Sequence, residues 1–161
     1  MTRSGYSDDC DDWALIRWRG AVSQAIRGKR GQAMLGEMIL ALDALPDPSL
    51  GAESLVTATG EYCALGALGR ARAMDLESID PDDRKSVAQA FDVAEALAAE
   101  IMDINDRGSF DERIYFNFDV CGPMRGWESH RQLRWTTDPK AGRIRWSRMR
   151  AWAASHIKEK P

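Results

Sequence analysis

At 161 residues the chain is long enough for one domain with one core. Its 44% hydrophobic and 29% charged residues are those of an ordinary soluble globular protein, and no apolar run approaches the roughly 20 residues that span a bilayer. The net charge of −3 is unevenly distributed: seventeen acidic and five basic residues lie between Gln32 and Glu112, against three acidic and ten basic between Gly122 and Pro161. Such segregation suits a basic segment docked on an acidic body, or a basic segment held out for an external partner. The three cysteines, Cys10, Cys63 and Cys121, are odd in number and widely spaced. They form no disulfide framework and no compact zinc motif. The N-terminal residues lack the apolar stretch of a secretion signal, which points to a cytoplasmic location.

In chain order, residues 1–10 read as an N-terminal tail. Asp8 to Asp12 supply an acidic helix start, and a helix follows from about Asp11 to Arg27. Leu15, Trp18, Val22, Ala25 and Ile26 share its buried face. Gly28-Lys29-Arg30-Gly31 breaks the helix. A second helix carries Met34, Leu35, Met38, Ala41, Leu42 and Leu45 inward and stops at Pro46-Asp47-Pro48. Ser54 to Thr59 leans towards a short strand.

Glu61 to Met74 has helical periodicity, yet carries Gly66 and Gly69, each costing about 1 kcal/mol relative to alanine. A band of small side chains there predicts close approach by a neighbouring element. Asp80-Pro81-Asp82-Asp83 predicts a helix start, with a capping residue, proline at the first position and acids in the first turn. The alanine-rich run to Asn105 buries Val87, Ala90, Phe91, Ala94, Leu97, Ala98, Ile101 and Ile104, and a break near Phe91-Asp92 would divide it in two. Residues 113–137 are aromatic and β-prone, and read as a small hairpin inserted before a last helix at about Ile144 to Ile157. That helix is expected to bury Trp146, Met149, Ala153 and Ile157. The fold expected is mainly α: a single-domain helical bundle spanning 1–161 with a small C-terminal β-hairpin.

No catalytic constellation emerges. Cys63 with His130 or His156 could form a nucleophile and base, but nothing in the spacing brings them together, and the reading leans away from an enzyme. Asp80, Asp82 and Asp83 are explained by helix capping rather than by a cation, and neither a metal site nor a cofactor is expected. Gly28 to Gly31 between two helices resembles a helix-turn-helix in outline, but Glu37 and Asp43 on the second helix would repel phosphate. Arg17-Trp18, Arg134-Trp135 and Arg145-Trp146 interleave cations with aromatics, a pattern that can serve nucleic acid. Trp18 and Trp146, however, fall on core stripes.

The stretch Cys63-Ala64-Leu65-Gly66-Ala67-Leu68-Gly69-Arg70-Ala71-Arg72 and the terminal Trp146-Ser147-Arg148-Met149-Arg150-Ala151-Trp152 resemble a group of small uncharacterised phage and prophage proteins. The likeness extends from Trp13 to about Asp106 and resumes near Trp146. It implies a phage-encoded, non-enzymatic binding protein in the host cell, directed at a host protein or a nucleotide signal, and of a kind that includes inhibitors of host defence. Homo-oligomers are compatible with this, and no membrane is implied. Where the ligand is a nucleotide or nucleic acid, the expected residues are Arg125, Trp127, Arg131, Arg134 and Trp135, with Tyr115 and Phe116 opposite.

Overall fold

A computed structural model of the chain describes residues 3–5, 12–107, 111–122 and 125–158, with the backbone alone for 111–122 and 125–137. Two compact units are present: Met1–Arg107 with Gly142–Pro161, and Gly108–Ala141. The described helices are α1 (Asp12–Arg27), α2 (Lys29–Asp43), α3 (Ala64–Ala71), α4 (Arg84–Ala90), α5 (Glu95–Asp106) and α6 (Ala141–His156). The acidic helix start expected at Asp8 to Asp11 lies outside the described residues.

Gly28 alone separates α1 from α2, a tighter join than the four-residue break expected. Gly31 already lies inside α2, where a Cβ would stand 2.1 Å from the Ala25 carbonyl oxygen. The absence of a side chain at that point lets the two helices cross.

Helix α3 is the centre of the first unit, and every residue from Ala64 to Gly69 is buried. A Cβ on Gly66 would sit 1.9 Å from the Leu55 carbonyl oxygen, and one on Gly69 would sit 2.4 Å from Leu76 Cδ2. Both glycines therefore make room for neighbouring parts of the chain. Burial also requires that the first amides of α3 find partners. Asn105 Oδ1 accepts from Ala64 N at 3.1 Å, and Cys63 Sγ accepts from Gly66 N at 3.4 Å.

The helix is shorter than its periodicity suggests. Ala73 adopts φ +53°, Ala73 N donates to Arg70 O, and Met74 N donates to Gly69 O. This pair of bonds is a Schellman ending. Asp92, at φ +52°, closes α4 in the same way through Asp92 N to Gln89 O and Val93 N to Ala88 O. That ending is the physical cause of the division of the alanine-rich run near Phe91-Asp92. Asp83, not Asp80, caps α4, accepting from Lys85 N at 3.0 Å.

Around α3 the core gathers Met34, Leu35, Met38 and Leu42 from α2, Phe91 beyond α4, Leu97, Ile101 and Met102 from α5, and Met149 and Ala153 from α6. Several of the sequence's core assignments are revised. Ala90 and Ala94 are exposed, Trp146 is half-buried, and Ile157 is 38% exposed. Ser54 to Thr59 contributes a single antiparallel bridge, Val56 to Tyr62, rather than a strand.

The single-domain bundle with a small C-terminal β-hairpin requires correction. Among the residues whose side chains are described, 62% are helical and none lies in a strand, so no hairpin contributes to the bundle. The bundle closes its core with α6, whose Met149 and Ala153 are fully buried. The strands β1 (Asp111–Gly122) and β2 (Arg125–Thr137) belong to the other unit. They pair with each other, antiparallel, from Asp111 opposite Thr137 to Val120 opposite Glu128, with an irregularity before Gly122 opposite Arg125. They are 12 and 13 residues long.

Candidate binding groove

The C-terminal helix is held to the acidic body by named contacts. Arg150 Nε and Nη2 donate to the two carboxylate oxygens of Asp43 at 2.5 and 2.8 Å, and Arg143 Nη2 reaches Asp47 at 3.4 Å. The hydrogen bond from Arg150 holds the Asp43 carboxyl below the usual carboxylate range. Trp146 Nε1 donates to Leu42 O at 3.0 Å, and Arg148 Nη2 donates to Asn105 O at 3.1 Å. Burial, then the neighbouring Arg145 and Arg107, lower the Arg148 pKa. The basic residues of α6 thus act largely within the chain.

The end of α6 is fixed by one side chain. Gln32 Nε2 donates to Ile26 O at 2.8 Å and to His156 O at 2.9 Å, while its Oε1 accepts from Lys158 N at 2.8 Å. Lys158 Nζ donates to Arg27 O at 3.0 Å. Gln32 therefore joins the end of α1, the start of α2 and the end of α6.

Beside this junction lies a groove of about 740 Å³, within the range of ligand pockets. Its floor is the inward stripe of α1: Leu15, Trp18, Val22 and Ile26. Val22 and Ile26 are buried, while Leu15 and Trp18 are half-buried and remain partly open to the groove. Arg19, Ser23 and Arg27 recur every four residues and form one rim. Ser155 to Lys158 form the other, with Glu100 and Arg107 of the α5 region at one end. Among the described lining residues, four basic side chains, Arg19, Arg27, Arg107 and Lys158, stand beside one carboxylate, Glu100. Arg107 is already paired with Asp103. Arg19 and Arg27 are exposed and form no ion pair among the described residues. His156 Nδ1 lies 2.8 Å from Trp152 O, a contact that requires this nitrogen to donate, and its ring centroid is 5.0 Å from that of Trp152.

A second polar cluster is internal. Arg3 Nε and Nη2 donate to Asp106 at 2.5 and 3.0 Å, and the Arg3 side chain is 4% exposed. Burial works against its charge, but Cys63 and Asp106 outweigh that and raise its pKa. Asp106 also accepts from Glu53 N at 3.2 Å and from Asn105 Nδ2 at 2.8 Å. These bonds tie residues 3–5 and the loop after α2 to the end of α5, close to the start of α3.

Of the residues singled out in the sequence, Cys63 is a buried free thiol engaged with α3, and His156 is engaged with α6. The side chain of His130 lies outside the described residues. So do those of Tyr115, Phe116, Arg125, Trp127, Arg131, Arg134 and Trp135, whose backbone belongs to β1 and β2. Asp80 and Asp83 accept from the amides two residues on, at Asp82 and Lys85. No group of three metal-ligating side chains occurs among the described residues, and no described helix is long and apolar enough to cross a membrane. No protein-family model, curated protein or solved structure matches the chain.

Proposed function

We propose that the chain is a non-enzymatic binding protein of the phage type its sequence resembles, acting on a factor of the host cell. The observation that carries this reading is the groove between α1 and the end of α6: a partly open apolar floor under a cationic rim. Apolar surface of this kind gains free energy on being covered, by roughly 25 cal/mol per Å². The excess of positive charge selects an anionic partner and speeds its approach.

Affinity capture from bacterial host lysate, with wild-type chain beside the double variant Arg19→Glu/Arg27→Glu, tests the proposal. A specific protein retained by wild type and lost by the variant supports it. Equal retention by both, or no specific retention by either across several hosts, overturns it.

A further inference from the structure

We infer that the groove receives an acidic amphipathic helix of a partner protein, its aliphatic side chains on the α1 floor and its carboxylates on Arg19 and Arg27. This inference rests on the reading of the chain as a binding protein and names what it binds.

The floor argues for aliphatic side chains. Leu15, Trp18, Val22 and Ile26 form a continuous stripe. At 1.5 Å rise per residue it runs about 16 Å along α1, the length of three helical turns. A partner helix laid along it meets the stripe with positions i, i+3 or i+4, and i+7, the usual mode of helix-in-groove recognition.

The rim argues for carboxylates at matching intervals. Arg19 and Arg27 are separated by about 12 Å along α1 at the same rise. Acidic residues seven or eight apart on a partner helix span the same distance on one edge. The guanidinium groups have no carboxylate partner among the described residues, so a new pair would break none of the described ion pairs.

The remaining polar groups argue against a nucleobase. Reading a base edge calls for free amide or hydroxyl groups at the pocket wall. Here both ends of the Gln32 amide are engaged, Ser155 Oγ donates to Trp152 O, and the His156 ring lies against Trp152, which leaves the Ser23 hydroxyl on the α1 rim, too few groups to read a base edge.

The test uses labelled synthetic peptides of about 18 residues with leucines at i, i+3, i+7 and i+10 and glutamates on the flanks, enough for about five turns. A scrambled peptide of equal composition is the control, and ADP and inorganic phosphate are competitors. The expected result is saturable binding of the amphipathic peptides in preference to the scrambled one. Binding should weaken at least about tenfold in Arg19→Glu/Arg27→Glu, and also weaken as salt rises. The milder Arg19→Gln/Arg27→Gln pair, with helical circular dichroism unchanged, separates lost charge from lost fold. If ADP or phosphate binds at Arg19 and Arg27 while none of the peptides does, the inference fails and an anion-binding groove remains. Peptide binding unchanged by charge reversal also overturns it. If neither peptides nor anions bind, the inference and the groove's proposed role fall together.

Discussion

Single positions in this fold differ sharply in what they tolerate. Gly66 faces a backbone oxygen that cannot move aside, so Gly66→Ala should cost about 3 kcal/mol in denaturant unfolding, at the upper end of overpacking effects. Gly20 and Gly36 also lie inside helices, but an added Cβ meets nothing within 4 Å. Alanine at either should stabilise by about 0.5–1 kcal/mol in the same measurement. A loss at Gly20 or Gly36 comparable to that at Gly66 would contradict the packing described. The Arg3–Asp106 pair is a further residue-level test. Removing one member strands the other away from water, and Asp106→Ala should lower stability by about 3 kcal/mol.

At the scale of elements, the helix endings carry their own predictions. Ala73 holds a left-handed conformation to end α3, and glycine there removes the cost of its Cβ. Ala73→Gly should raise the unfolding midpoint by the equivalent of about 0.5–1 kcal/mol, and a fall would show that the Schellman ending does not form. Docking of α6 depends partly on Asp43, whose carboxyl Arg150 holds below its ordinary range. A carboxylate lowered on folding adds stability that is present above about pH 4 and is lost as pH falls through the lowered value. In Asp43→Asn the gap between urea midpoints at pH 7 and pH 3 should therefore narrow slightly, the pair being exposed. Periodicity made the helices legible, because Val22, Met34, Leu42, Leu97, Ile101 and Met149 repeat at the spacing of one buried face. The end of α4 near Phe91-Asp92 was legible as well, whereas the length of α3 was not: Ala73 carries no chemical mark of a left-handed cap as glycine would, so the helical pattern ran on to Met74, past the true end at Ala71.

Across the whole molecule, the groove was hidden from sequence reasoning for a geometric reason. Its rims come from residues more than a hundred positions apart, joined through Gln32, which carries no motif. One signal was available: Arg19 and Arg27, eight residues apart, border the Leu15–Trp18–Val22–Ile26 stripe at helical spacing. Charge segregation was visible in the sequence, and the docking of α6 on Asp43 and Asp47 accounts for part of it. In residues 113–137 tryptophan and arginine cluster along the chain, the pattern of a basic aromatic binding segment. Clustering in sequence does not require clustering around a ligand, whereas the groove combines charge and apolar surface in space. Backbone amide NMR of the labelled chain, on adding the acidic amphipathic peptide, is the most direct test. The prediction is that resonances of residues 15–27 and 155–158 move together with one saturation curve. Shifts confined to residues 111–137, with those of α1 unmoved, would contradict it.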